Sequence, residues 1–235
     1  MKKRTKGSQA DLKKAYEKLK ASHGEIKEVY EDMFIRLAIT AEYRDPGIGG
    51  HVRRVSDYSI AIAKSMGLPS EEILIIRYAS MMHDMGKIGI SDEIIEKSTA
   101  LTATEHKEIK KHTVIGNRIF EGSKFPLVRA SAQIALTHHE KYDGTGYPRG
   151  LKGKEIPLYG RIVAVADYFD AFVSERRYKS AQTFDAGIQE IESKANTFFD
   201  PQVVIAFLKI RDTIKEILAA NIAIEDFVRS NGYKG

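Results

Sequence analysis

The sequence has 235 residues, of which 43% are hydrophobic and 29% charged, so its length and composition suit one globular domain with an appended segment. It contains no cysteine, which excludes disulfides and thiolate-bound zinc, and any metal must therefore be held by nitrogen and oxygen ligands. No apolar run reaches the roughly 18 residues that a membrane span needs, so we predict a cytoplasmic protein that does not enter the membrane.

Most of the net charge lies at the N-terminus. The formal charge is +5, and four of these charges belong to Lys2, Lys3, Arg4 and Lys6, which leaves +1 for the rest of the chain. No aromatic residue alternates with these cations, as one would in a nucleic-acid-binding arm. We therefore interpret residues 1–10 as a flexible, solvated basic tail and predict no nucleic-acid partner.

The next segment repeats apolar residues at alternating steps of four and three. The repeating positions, which we call the seam, are Leu12, Tyr16, Leu19, His23, Ile26, Tyr30, Met33 and Leu37. This spacing predicts a coiled-coil-like helix over residues 11–40. We expect residues 12–37 to form a homodimer and to convey conformational change from a sensor. The alternative is that the seam packs against its own domain.

The chain beyond Glu42 reads as helices separated by loops. Ser70 is expected to cap the N-terminus of a helix that stops near Gly86. A further helix is predicted over residues 128–139. Asp200-Pro201 has the form of an N-cap followed by a first-turn proline, and it predicts a helix through residue 218.

The segment Arg161-Ile162-Val163-Ala164-Val165-Ala166 is ambiguous, because its β-branched residues would suit a buried strand. Polar periodicity favours a helix. Asp167, Asp170 and Ser174 share one face of a helix, whereas a strand would place the two aspartates on opposite faces. We predict a helix whose polar stripe faces a functional site.

Two pairs of adjacent residues have the side chains of metal ligands. His83-Asp84 precedes Met85-Gly86-Lys87, and His138-His139 precedes Glu140. An imidazole–carboxylate pair offers one nitrogen and one oxygen, and the oxygen ligand can bridge two cations. Taken alone, His83-Asp84 could be a helix-terminal dipeptide with ordinary hydrogen bonds, but the two pairs together predict a metal site.

These motifs resemble those of a known family. His83-Asp84-Met85-Gly86-Lys87 resembles the signature of the HD superfamily, and residues 138–148, HHEKYDGTGYP, resemble the HD-GYP signature without a gap. The resemblance implies an all-α helical bundle of the HD superfamily, preceded by the coiled-coil-like helix. It places a catalytic domain over residues 41–210 and leaves a C-terminal helix and tail over residues 211–235.

The resemblance also implies a centre of two divalent cations, most similar to iron or manganese sites. Its ligands would be His51, His83, Asp84, His112, His138, His139 and Asp167. Asp84 would be the bridging carboxylate. A third metal is not expected, because Gly47 replaces an additional glutamate that some members use. Lys87 would lie beside the cations and stabilise a phosphate or protonate the leaving oxygen, with a plain salt bridge as the alternative.

The implied reaction is hydrolysis of cyclic di-GMP to pGpG, and whether it continues to GMP is left open by the sequence. Two cations suit this reaction, because a phosphodiester anion repels hydroxide and its alkoxide is a poor leaving group. Substrate contacts are assigned to Tyr147, Asp170, Arg176 and Lys179, with Asp45 as a further candidate. The alternatives are a cyclic GMP-AMP phosphodiesterase, a non-catalytic module that senses a nucleotide or binds a partner, and a phosphohydrolase of mononucleotides or alarmones. A GGDEF-type or sensor protein is the expected partner.

Overall fold

The computed structural model describes residues 3–42, 50–175 and 180–230. Within these ranges the chain forms α-helices and short 3₁₀ turns and no β-strand, which confirms the predicted all-α class. The chain divides into two compact units, Met1–Leu37 and Ala38–Gly235. None of the described helices combines the length and the apolar character of a membrane-spanning segment.

The described residues form eleven α-helices and two 3₁₀ turns. In chain order they are α1 (Lys3–Glu42), α2 (His51–Ser65), α3 (Ser70–Ser80), α4 (Asp92–Ile95), α5 (Ala103–Lys110), α6 (His112–Phe120), α7 (Pro126–Thr137), α8 (Leu158–Val173), α9 (Phe184–Ser193), α10 (Pro201–Lys209) and α11 (Arg211–Ser230). The 3₁₀ turns are Met85–Gly89 and Gly153–Glu155.

The first unit consists of the N-terminal part of α1, which carries the seam. The seven apolar seam residues are all exposed, from 51% at Ile26 to 70% at Leu12. Residues spaced in this way face one side of a helix, so the exposed side chains form an apolar stripe that only His23 interrupts among the seam positions.

Helix α8 is the centre of the second unit and packs against α2, α7, α9 and α10. Ile162, Val163, Val165 and Ala166 are fully buried, because helices cover this segment on several sides. Phe169 continues the same core. The ambiguous segment is therefore helical, as its polar periodicity predicts, and its β-branched residues reflect burial.

The predicted start and end of the helix at Ser70 are wrong. Pro69 has an extended backbone (φ −59°, ψ 151°) and is the N-cap, so Ser70 is already the first helical residue and caps nothing. The helix ends at Ser80, six residues before Gly86. Beyond Ser80 the chain forms tighter turns of the 3₁₀ type, because the amides of Met82 and His83 donate hydrogen bonds to carbonyls three residues back.

Two other predicted helices differ in their limits. Helix α7 spans residues 126–137 and stops before the tandem histidines. The helix predicted to run from Pro201 to residue 218 is two helices, because Ile210 (φ −109°, ψ 25°) leaves the helical conformation. The break redirects the chain so that Ile214 of α11 is fully buried in the core. The start of the predicted C-terminal segment is thus packed into the second unit.

Candidate metal centre

The seven predicted ligand residues meet in the second unit, and six of them lie at helix ends. His51 and His112 begin α2 and α6, His83 and Asp84 follow α3, and His138 and His139 follow α7; Asp167 lies within α8. Helix ends present side chains at defined points of a rigid scaffold, so residues distant in sequence can converge.

The ligand atoms form two groups. One oxygen of Asp84 and one nitrogen each of His112, His138 and His139 lie within 4.8 Å of one another. His51, His83 and Asp167 form the second group under the same limit. Each group combines imidazole nitrogen with carboxylate oxygen, which is the ligand set expected for a divalent transition metal.

Asp84 lies between the two groups. Its Oδ1 is 3.3 Å from Nε2 of His112 and 3.6 Å from Nε2 of His138, whereas its Oδ2 is 3.5 Å from Nε2 of His83. One carboxylate oxygen therefore faces each group. This arrangement has the geometry that a bridging carboxylate needs.

Four of the histidines are oriented by their Nδ1 atoms. Nδ1 lies 2.8 Å from the Ser80 carbonyl in His83, and the corresponding Nδ1–oxygen distances are 2.6 Å in His112 and 3.0 Å in His138. In His51 the acceptor is a carboxylate, 2.7 Å away. These oxygens accept hydrogen bonds, so Nδ1 carries the proton and Nε2 of a neutral ring presents its lone pair to the centre.

Two buried polar atoms of the centre lack hydrogen bonds. They are Nε2 of His83 and Oδ1 of Asp84, and neither has a partner among the described residues. Unsatisfied buried polar atoms are rare and costly. One cation in each group would satisfy these atoms, Oδ1 of Asp84 in the first group and Nε2 of His83 in the second, so the residues fit a binuclear metal site.

The electrostatics of the centre favour the protonation states that metal ligands need. Burial lowers the pKa of His112 to about 4 and that of His139 well below its usual value, so both imidazoles are neutral at pH 7. Burial alone would raise the pKa of Asp84, but the charges of Lys87 and His83 hold it well below the usual range. The carboxylate is therefore ionised.

His83 differs from His112 and His139 in the direction of its pKa shift. Burial opposes its charged form, but the adjacent carboxylate of Asp84 outweighs burial and raises the pKa of His83. A metal cation competes with a proton for the same nitrogen. Metal binding at His83 is therefore expected to release a proton.

Gly86 permits the close packing that joins Asp84 to His112. A Cβ atom at Gly86 would lie 1.9 Å from the carbonyl oxygen of His112 and 2.4 Å from the amide nitrogen of Gly116. Any side chain would push the turn away from the start of α6. The glycine of the HD motif thus allows the two ligands to approach.

Lys87 forms a salt bridge with the proposed bridging residue. Its Nζ lies 2.8 Å from Oδ2 of Asp84, and its side chain is only 15% exposed. The salt bridge that we gave as the alternative prediction for Lys87 is therefore present in the structure. The same position places a cation at the edge of the centre.

Tyr147 lies against one of the ligands. Its ring stacks on His139 with a centroid distance of 4.9 Å and an interplanar angle of 30°, and Nζ of Lys110 lies 4.8 Å from its ring centroid. Burial and the charges of Asp84 and Asp167 raise the pKa of Tyr147 above its usual value. Its hydroxyl group therefore stays protonated and can donate a hydrogen bond.

Glu140 holds the loop that carries Tyr147, a role that its sequence position did not indicate. The carboxylate is 3% exposed and accepts hydrogen bonds from the amides of Arg149 (2.7 Å) and Leu151 (3.0 Å). Gly146 allows the loop to lie on Glu140, because a Cβ atom there would be 2.5 Å from the Glu140 Cα. These hydrogen bonds join Glu140 to residues nine and eleven positions later in the chain, and no short sequence pattern predicts such contacts.

Replacing Glu140 with glutamine should destabilise this loop. The amide group of glutamine has one acceptor atom, so the N–H of Arg149 or of Leu151 would lose its charged acceptor, at a cost of about 1.5–3 kcal/mol in the free energy of unfolding. Urea denaturation measures the change. The matched control is Glu155→Gln, where an exposed carboxylate accepts one backbone N–H. Equal stability of the two variants would contradict the role given to Glu140.

Asp170 has a different environment from that expected of a substrate contact. It is fully buried, and its Oδ2 lies 2.7 Å from Nδ1 of His51. An aspartate with no exposed surface cannot meet a substrate without rearrangement. The geometry supports a role in orienting His51 instead. Asp45, Gly47, Arg176 and Lys179 lie outside the described residues.

The chain matches a protein family and is similar to several known phosphodiesterases. The HD domain model matches residues 37–203. A cyclic di-GMP phosphodiesterase of Thermotoga maritima is 44% identical over 88% of this chain and 57% of its own length. The cyclic di-GMP phosphodiesterase response regulator RpfG of Xanthomonas campestris is 43% identical over 86% of this chain and 53% of its own length. The chain thus spans little more than half the length of these relatives.

Other similar proteins are named for a different cyclic dinucleotide, cyclic GMP-AMP. The 3'3'-cGAMP-specific phosphodiesterase 2 of Vibrio cholerae is 37% identical over 86% of this chain and 38% of its own length. A solved cyclic GMP-AMP specific phosphodiesterase of the same species has a TM-score of 0.60 at 21% identity, over 80% of this chain and 50% of that one. At such identity the structural likeness shows the fold alone.

Proposed function

The chain belongs to the HD domain family and carries the HD-GYP signature, and on that premise we propose that it is a metal-dependent phosphodiesterase of cyclic di-GMP. The observation that carries the proposal is the convergence of five histidines and two aspartates into two ligand groups on either side of Asp84. The two relatives with the highest identities given above are both named cyclic di-GMP phosphodiesterases.

The seven residues would hold two divalent cations, with Asp84 shared between them. Such cations activate water near neutral pH and offset the charge that develops on a phosphodiester during displacement. Iron or manganese suits the mixed imidazole and carboxylate ligands, and the resemblance to the HD-GYP family favours these metals.

Lys87 is proposed to act on the phosphate. Its ammonium group is held 2.8 Å from Asp84 and so lies beside both ligand groups. From this position it can stabilise the negative charge on the phosphate and donate a proton to the leaving oxygen. The salt bridge would then serve to position Lys87.

Tyr147 is proposed to donate a hydrogen bond from its protonated hydroxyl group to a phosphate oxygen, or to stack on a base. Its ring position on His139 supports this role, because a substrate at the metal centre would be close by. Arg176, Lys179 and Asp45 remain predicted substrate contacts. Arg176 would bind phosphate oxygens or the edge of a guanine base, and Lys179 would bind a phosphate.

Turnover of two candidate substrates by the purified chain tests the proposal. We expect cyclic di-GMP to yield pGpG and then GMP, and we expect faster turnover of cyclic di-GMP than of cyclic GMP-AMP. The reverse preference would favour the alternative substrate, which the name of one relative supports. A failure to hydrolyse either compound with metal bound would indicate a non-catalytic module or a different phosphohydrolase.

We also propose that residues 12–37 form a homodimer through the seam. An apolar stripe along one face of an exposed helix would be buried by a second copy of the same helix, since coiled coils pair in this way. A sensor or GGDEF-type partner remains a prediction. The proposed second-messenger substrate favours a cytoplasmic location.

Charged residues in the seam should dissociate this dimer. Leu19→Lys/Ile26→Lys places two ammonium groups per chain in the proposed interface, and we expect association at least about 100-fold weaker. Light scattering coupled to size-exclusion chromatography measures the mass. The control Ile35→Lys/Ile39→Lys changes two exposed residues outside the seam and should leave the dimer intact. A monomeric wild type, or a seam variant that stays dimeric, would contradict the proposal.

A further inference from the structure

We propose that Arg54 is a positioning residue for the metal centre, which acts through Asp170 on the ligand His51. Nothing in the sequence pattern distinguishes Arg54 from its neighbour Arg53. In the structure Arg53 is exposed, whereas Arg54 is 5% exposed and directed toward α8. The inference rests on the proposed function, because it concerns the same metal centre.

Two helices bring these residues together in matched pairs. His51 and Arg54 are three residues apart on α2, and Asp167 and Asp170 are three residues apart on α8, so each pair shares a helix face. Nε2 of His51 is 3.3 Å from Oδ1 of Asp167, and Nδ1 is 2.7 Å from Oδ2 of Asp170. The imidazole is therefore held between two carboxylates.

The guanidinium group of Arg54 donates two hydrogen bonds to the carboxylate of Asp170. Nε of Arg54 donates to Oδ1 of Asp170 at 2.6 Å, and its Nη2 donates to Oδ2 at 3.1 Å. Such a bidentate contact fixes the plane of the carboxylate, which a lysine cannot do. The oxygen that accepts from His51 is thus held at a set position.

Asp170 needs this partner because it is fully buried. A buried carboxylate without a counter-charge is strongly unfavourable, so loss of Arg54 would let Asp170 move toward water or another donor. His51 would then lose the acceptor that keeps the proton on Nδ1 and directs Nε2 at the metal. Partners that orient a metal-ligating histidine commonly change metal affinity by 10–100-fold.

Manganese titration of the metal-free protein tests the inference independently of turnover. The EPR signal of unbound Mn²⁺ gives the affinity of each site. We expect Arg54→Met to weaken by about 10–100-fold the site that contains His51, with little change at the other site. Arg54→Lys should weaken manganese binding less, because lysine keeps the positive charge but cannot donate the two parallel hydrogen bonds of the guanidinium group. Circular dichroism checks folding, and Arg54→Lys provides the test if Arg54→Met does not fold.

Two controls separate positioning from general stability. Arg53→Met removes an exposed charge one residue away and should change neither metal site. Arg161→Met removes another largely buried arginine, which pairs with Asp200 outside the centre. It should lower the free energy of unfolding and leave metal affinity unchanged. A loss of metal affinity in Arg161→Met as large as in Arg54→Met would make the effect of Arg54 merely structural.

The proposed route through Asp170 is tested by a double variant. If Arg54 acts only through Asp170, then Arg54→Met/Asp170→Asn should bind manganese no more weakly than Asp170→Asn alone. Additive losses would overturn the route, and unchanged manganese affinity in Arg54→Met would overturn the inference. Absence of phosphodiesterase turnover in a wild type that binds manganese would overturn the proposed function and leave the Arg54 result standing.

Discussion

Replacing both His83 and Asp84 with alanine is expected to remove bound metal and turnover together. Asp84 offers an oxygen to each ligand group, and His83 belongs to the second group, so the double variant leaves neither group complete. Because activation of water and neutralisation of the phosphate charge would both be lost, hydrolysis of cyclic di-GMP should fall by at least about 1,000-fold. Elemental analysis and a turnover assay on the same preparation measure both effects.

A matched control is available on the surface of the same unit. His106→Ala/Asp212→Ala also removes one imidazole and one carboxylate, but both residues are exposed and lie outside the ligand groups. Its metal content and turnover should equal those of the wild type. Turnover in the His83→Ala/Asp84→Ala variant at the control's rate would remove the catalytic assignment.

Asp167→Asn is expected to lower the metal content from two ions per chain to one. This aspartate supplies the carboxylate oxygen of the group that contains His51 and His83, and its side chain is 16% exposed. Burial alone would raise the pKa of Asp167, but the neighbouring imidazoles of His51 and His83 outweigh burial and keep it well below its usual value. The neutral amide is a much weaker ligand, so turnover should fall by about 100-fold or more.

The two substitutions differ in how many ions they release. Asp167→Asn leaves the group around Asp84, His112, His138 and His139 intact, so one ion should remain, whereas the His83→Ala/Asp84→Ala variant should retain none. Asp212→Asn is the matched control for Asp167→Asn. If Asp167→Asn kept two ions, or lost both, the division of the centre into two groups would be wrong.

Four of the metal ligands could be predicted from the sequence because they form two adjacent pairs, whereas His51 and His112 are assigned only by the resemblance to the HD-GYP family. His83-Asp84 and His138-His139 are adjacent pairs, and the helical period placed Asp167 and Asp170 on one face of α8. The polar periodicity also resolved the apolar segment before Asp167, which β-propensity alone would have assigned to a strand.

The supporting residues could not be predicted, since their contacts join distant parts of the chain. Arg54 meets Asp170 across 116 residues, and although Asp170 is predicted to face the site, nothing in the sequence pairs it with Arg54. Glu140 binds amides of a loop whose path depends on its glycines. The break at Ile210 is likewise set by tertiary packing, because Ile214 turns into the core beyond it.

Anaerobic purification followed by metal analysis and a cyclic di-GMP hydrolysis assay tests the central claim most directly. The account predicts two iron or manganese ions per chain and hydrolysis to pGpG that a chelator abolishes and added metal restores. Full hydrolysis by metal-free protein would contradict it. So would a protein that holds both ions and leaves cyclic di-GMP intact.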